Sequence, residues 1–170
     1  MKLYCNLAKQ AVEKYIRKGE ILNIPKKLPA EFKKKAGVFV TIYKTGKLRG
    51  CIGTYLPTKK NLAQEIIDNA IMAATKDWRF PPISEVELPN IECEVSVLSE
   101  PKLVKDIKEL NPKKFGILIK GQTSGRSALL LPDLDGLDTV EKQLFACCQK
   151  AGIDLEMESI SIFSFQTKRY

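Results

Sequence analysis

The 170-residue chain contains no histidine. That one absence removes Ser-His-Asp and Cys-His nucleophilic catalysis, the usual zinc sites and the two-His-one-carboxylate iron site. Any acid–base chemistry falls to carboxylates, Lys, Tyr, Cys or water. Cysteine occurs five times (Cys5, Cys51, Cys93, Cys147, Cys148), an odd number with no CxxC. Neither a zinc knuckle nor a redox dithiol is signalled, so no metal or cofactor is expected and the thiols are expected to be reduced. No apolar run approaches the roughly 20 residues that span a bilayer, and no signal-peptide core follows Met1-Lys2-Leu3-Tyr4. A cytoplasmic protein without a membrane partner is the expectation. Aromatics are sparse, at 8%, with a single tryptophan, Trp78. Lysines are not sparse: residues 1–60 hold 15 Lys and Arg against 3 Asp and Glu, and the remainder 13 against 17. Only Phe32 stands near Lys26-Lys27 and Lys33-Lys34-Lys35 for base stacking, so this basic half reads as a solvated surface rather than a nucleic-acid site.

Length and composition suit one core, hence one domain over residues 1–170. Leu3, Leu7, Ala8, Ala11, Val12, Tyr15 and Ile16 recur at helical spacing before Gly19, a C-terminal stop. A connector over 20–36 carries a short helix at 30–35. Val38, Val40 and Ile42 alternate with Phe39, Thr41 and Tyr43, and Lys44-Thr45-Gly46-Lys47 turns the chain into a hairpin. Asn61 and Gln64 form a capping-box pattern ahead of the stripe Leu62, Ile66, Ile67, Ala70, Ile71 and Ala74. Residues 91–98, 115–119 and 128–131 read as strands, with a short helix near 104–110. Asp138 with Glu141 caps a helix that Gly152 stops. The tail, 159–168, is apolar on both faces, as a strand inside a sheet would be. Hairpins with helices inserted between them predict an α+β fold with a mainly antiparallel sheet and flanking helices.

The stretch that carries chemistry is Leu48-Arg49-Gly50-Cys51-Ile52-Gly53-Thr54-Tyr55. Strand alternation puts Arg49 and Cys51 on one face. Glycines inside a strand mark a bulge, or close approach by a ligand or another backbone. Arg49 beside a thiol favours the thiolate, which would make Cys51 a nucleophile, although a small buried hydrophobe is equally compatible with the residues. Glu94 lies in the strand 91–98 on the face opposite Cys93, and a mid-sheet carboxylate is solvated or paired with a cation such as Arg49. In Asp77-Trp78-Arg79-Phe80-Pro81-Pro82, Trp78 and Phe80 are expected to anchor in the core, and Asp77 and Arg79 to pair locally or face a cleft. Gly121-Gln122-Thr123-Ser124-Gly125 lacks the lysine and following helix of a phosphate loop.

The seven residues Leu48–Thr54 resemble the signature of the AMMECR family, protein A of the AmmeMemoRadiSam system. Gly37-Val38-Phe39-Val40, the helix 63–74, Arg79-Phe80-Pro81-Pro82, Glu94-Val95-Ser96-Val97-Leu98 and Leu130-Leu131-Pro132 extend the resemblance over essentially the whole chain. It implies an α+β fold in which a larger and a smaller subdomain border a cleft. It places Arg49, Gly50, Cys51, Gly53 and Thr54 at the site, with Arg79 and Glu94 as neighbours, and a Memo-type protein and a radical SAM enzyme as partners. Two functions follow. In one, Cys51 is the nucleophile of an enzyme, with Arg49 beside it and Glu94 or water managing protons. In the other, the same residues bind an anionic small molecule, peptide or partner protein without catalysis, through Arg49, Arg79 and free backbone N–H groups. Nucleic-acid binding through the basic half is a weaker third.

Overall fold

Alternation decides the first sheet. Val38, Val40 and Ile42 are fully buried, whereas Phe39, Thr41 and Tyr43 between them are half-buried, so this segment runs as a strand (β1, Val38–Lys44) with one face in a core. In the computed structural model, which describes residues 2–24 and 29–170, β1 pairs antiparallel with β2 (Lys47–Thr54). The turn residues Thr45 and Gly46 both take positive φ, 47° and 75°, as a two-residue hairpin between right-twisted strands requires. On its other side β1 pairs with β3 (Ile91–Leu98). A fourth strand, β8 (Thr167–Arg169), completes the order β2-β1-β3-β8. Beyond it Val95 and Tyr170 exchange both N–H···O bonds, at 3.3 and 3.0 Å, the antiparallel pattern. Pro25 and the Lys26-Lys27 pair lie outside the described residues.

Two helices cover the apolar face of this sheet. From α1 (Lys2–Lys18) come Ala8, Ala11 and Val12, and from α3 (Leu62–Thr75) come Leu62, Ile66 and Ala70, all fully buried. Gly19 ends α1 at φ +67°. Asn61 caps α3, its side chain accepting the Gln64 N–H at 3.0 Å. Between these helices lies α2 (Ala30–Lys33), shorter than the expected 30–35, which buries Phe32. Residues 1–98 with 168–170 form this first compact unit.

Residues 99–167 form the second. Its sheet has the order β4-β7-β5-β6, from β4 (Lys102–Leu103), β7 (Ile160–Phe165), β5 (Gly116–Gly121) and β6 (Ser127–Leu130), every pair antiparallel. Against one face packs α4 (Val140–Ala151), whose Cys147 and Cys148 join Ile117, Ile119 and Ile153 in a core. The cap of α4 is Thr139, which accepts the Lys142 N–H. Asp138, expected to cap, instead pairs with the Lys142 ammonium at 2.6 Å. The tail behaves as its two apolar faces require, since β7 is central in its sheet. The expected helix near 104–110 reduces to one 3-10 turn, Ile107–Glu109. Together the elements make an α+β protein with antiparallel sheets.

Candidate functional site

The hairpin register slips between Ile42, opposite Gly50, and Tyr43, opposite Leu48. Arg49 is therefore the extra residue of a β-bulge, and the strict alternation that would set it beside Cys51 breaks there. Its guanidinium grips Glu87 twice, Nε to Oε2 and Nη2 to Oε1, both at 3.0 Å. It also donates to the carbonyls of Pro81 at 2.9 Å and Pro82 at 3.3 Å. Glu87 accepts from Lys44 and Ser84 as well, and the Arg49 guanidinium beside it holds its carboxyl far below the usual range, against the opposing effect of burial. The anticipated Arg49–Glu94 pair is thus replaced by Arg49–Glu87, and Arg49 fastens the proline loop to the sheet.

As an edge strand, β2 has backbone N–H groups with no strand partner. The Cys51 N–H donates to Asp77 Oδ2 at 2.8 Å. Asp77, 5% exposed, also receives the Arg79 N–H and Nε on Oδ1, at 3.1 and 3.0 Å, and Nη2 on Oδ2 at 2.8 Å. The Arg79 hydrogen bonds dominate and hold the Asp77 pKa down at about 2, against burial. One carboxylate thereby closes the sheet edge and fixes a guanidinium beside the thiol.

Cys51 faces Thr41 across the ladder, and Thr41 faces Glu94. The thiol and the Thr41 hydroxyl share a hydrogen at 3.2 Å. Burial raises the Cys51 pKa above its ordinary value, Thr41 and the Arg79 charge oppose that, and the Asp77 and Glu94 charges add to it. The thiol is therefore protonated at neutral pH, and the cation that acts on it is Arg79. Arg79 keeps 41% of its side chain exposed, and its Nη1 makes no hydrogen bond among the described residues.

The two signature glycines make room for protein. A Cβ at Gly50 would stand 2.2 Å from the Ala73 carbonyl oxygen, and one at Gly53 would stand 2.3 Å from the Phe39 ring. Gly50 lets α3 lie against β2, and Gly53 seats an aromatic ring. Thr54 donates its hydroxyl to Glu65 Oε1 at 2.6 Å. Glu65, 1% exposed, also accepts from the Thr58 N–H and hydroxyl and the Lys59 N–H. Burial alone would raise its pKa, but these donors prevail and lower it.

Of the expected site residues, Cys51 and Arg79 come together, with Glu94 one strand beyond Thr41. Arg49, Gly50, Gly53 and Thr54 serve the framework of the same strand. Sequence reasoning missed Glu65, Glu87 and Thr41. Glu87 had a signal, because Ser84 and Glu87 complete a capping box around a 3-10 helix, Glu85–Asn90. Trp78 departs from expectation outright. It is 92% exposed rather than anchored in the core: α3 ends at Thr75, and Asp77 is the residue that turns inward to meet the Cys51 N–H. Cys93 is structural, as its face indicated, with burial pushing its thiol up to about 12.

A mixed α+β protein whose edge strand is clamped by carboxylates is the class this geometry defines. The AMMECR1 family model matches residues 5–170, and the chain belongs to that family. A Thermotoga maritima protein is 51% identical over 170 residues, 98% of this chain and 96% of that one. A Clostridium acetobutylicum protein is 42% identical over 98% of this chain, which spans 35% of that longer protein. The crystal structure of an uncharacterized protein from Pyrococcus horikoshii, 32% identical, matches with a TM-score of 0.88 over 99% of this chain and 89% of its own. No helix among the described residues is long and apolar enough to cross a membrane.

Proposed function

We propose that the chain is a binding module that takes an anionic ligand at Arg79, beside the Cys51 thiol. The observation that carries this reading is the division of labour between the two arginines. Arg49 is committed to Glu87 and two carbonyls. Arg79 is oriented by Asp77 yet keeps Nη1 uncommitted and much of its side chain in solvent. A preoriented guanidinium loses little freedom on meeting a carboxylate or phosphate. Service as a carrier or adaptor, with Memo-type and radical SAM proteins as partners, fits a module of this kind. A thermal-shift screen of small carboxylates and phosphates tests it. The expected result is a concentration-dependent stabilisation that Arg79→Gln abolishes; stabilisation indifferent to that change would overturn the assignment.

A second reading keeps Cys51 as an enzyme's nucleophile, with Glu94 as a distant proton acceptor. It is favoured by the Thr41 hydrogen bond and the Arg79 charge, both of which draw the thiol toward its anion. The opposing burial and two carboxylate charges are why it ranks second. Loss of a measured turnover in Cys51→Ser, with thermal stability retained, would promote it.

A further inference from the structure

Exposing an indole is unusual, since aromatic rings supply most of the apolar area that folding and association bury. Trp78 is nevertheless the most exposed of the large hydrophobic residues among those described, at 92%. Around it the loop is fixed. Phe80 N–H bonds to the Asp77 carbonyl at 3.0 Å and Ile83 N–H to the Ala74 carbonyl at 2.8 Å. Arg79 is held by Asp77, and Arg49 holds the Pro81 and Pro82 carbonyls. The indole N–H makes no hydrogen bond among the described residues, and Arg79 Nη1 stands next to it in sequence, equally free. The loop thus presents one apolar plate and two unused donors on a rigid support. Trp and Arg, here neighbours in sequence, are among the residues enriched at the hot spots of protein interfaces.

The geometry points to this loop as a docking site for an acidic polypeptide segment, one apolar residue packing on Trp78 and a neighbouring carboxylate reaching Arg79. This rests on the anion-binding reading of Arg79 and extends it from a small ligand to a peptide. Charge complementarity at the loop favours a carboxylate-bearing partner, since Arg79 keeps 41% of its side chain exposed and its Nη1 uncommitted. A single-stranded nucleic acid fits less well. Such strands use successive aromatic plates, and the one other ring of the loop, Phe80, already takes the Arg49 and Arg79 guanidinium groups 6.0 and 5.5 Å from its centre.

Because Trp78 is the only tryptophan, its fluorescence reports on this surface alone. The probe is a labelled synthetic peptide bearing a leucine-proline pair flanked by glutamates, with a glutamine-for-glutamate control. Docking predicts a saturable blue shift of the emission with the glutamate peptide, weakened by salt. By anisotropy of the label, Trp78→Ala and Arg79→Gln should each weaken binding by at least about 30-fold. Trp78→Ala removes only an exposed side chain, so its folding is not at risk. No shift with the glutamate peptide, or equal binding of the glutamine control, overturns the proposal. So does a blue shift on raising protein concentration alone, which assigns the surface to a second copy, or quenching by oligo-deoxythymidine without peptide binding. A small-anion thermal shift that survives Trp78→Ala, with no peptide docking, would retain the Arg79 reading while rejecting this extension.

Discussion

Cys51 and Arg49 sit two residues apart and have separate partners. The thiol is half-buried and raised in pKa, chiefly by burial. Alkylation of Cys51 by iodoacetamide, followed by mass spectrometry, is therefore expected to be slow at pH 7 and to keep rising with pH beyond the point where the rate of an ordinary thiol levels off. Arg79→Gln removes the cation that opposes the shift, so it should slow the reaction further. Arg49, 12% exposed, makes a two-pronged contact that Lys cannot copy. Arg49→Lys is expected to lower stability by about 1.5–3 kcal/mol in urea denaturation, since Glu87 and two proline carbonyls each lose a donor. Thiol labelling and denaturation thus report on the two side chains separately.

At the scale of elements, the joint between β2 and α3 carries the framework. Gly50→Ala would drive a methyl into the Ala73 carbonyl, backbone that cannot step aside. A loss of more than about 3 kcal/mol, or failure to fold, is expected and is read by circular dichroism and urea titration. Glu65→Ala strands the donors of Thr54, Thr58 and Lys59 around a buried void. It should cost about 3 kcal/mol, more than Glu65→Gln, which keeps one acceptor oxygen. The elements themselves were largely legible. The hairpin, α1 and α3 follow from period-2 and period-3.6 patterns with turn and cap residues at their ends. The glycines of β2 also announced themselves correctly as marks of a bulge and of close backbone approach. The carboxylates that clamp the strand were not legible. Arg49 and Glu87 are 38 residues apart and Cys51 and Asp77 are 26 apart, and no local pattern encodes pairing at that range. Trp78 misled for a related reason: past Thr75 there is no helical period to say which side chain turns inward.

For the whole molecule, these carboxylates make stability depend on acid. Asp77, Glu87 and Glu65 all have folded pKa values below their ordinary ones. Their contribution is fully present above the unfolded carboxylate range near pH ~4, and it is lost as pH falls through the folded values. For Asp77 that loss extends down to about 2. Allowing for the solvent around Arg79, Asp77 contributes on the order of 1–2 kcal/mol. Stability measured against pH should be flat through neutrality and fall below pH ~4. Asp77→Asn should flatten part of that fall while lowering the plateau.

The outermost strand on the β3 side of the first sheet is made after the whole of the second unit. Residues 168–170 return to the first unit after the whole of 99–167. Tyr170 is tied there through Val95, the Cys5 thiol at 3.0 Å and an edge-on ring contact with Tyr4. During synthesis the sheet must wait, three-stranded, with the far edge of β3 open, until an entire second unit has left the ribosome. Through that interval the open edge of β3 is a template on which another chain could pair.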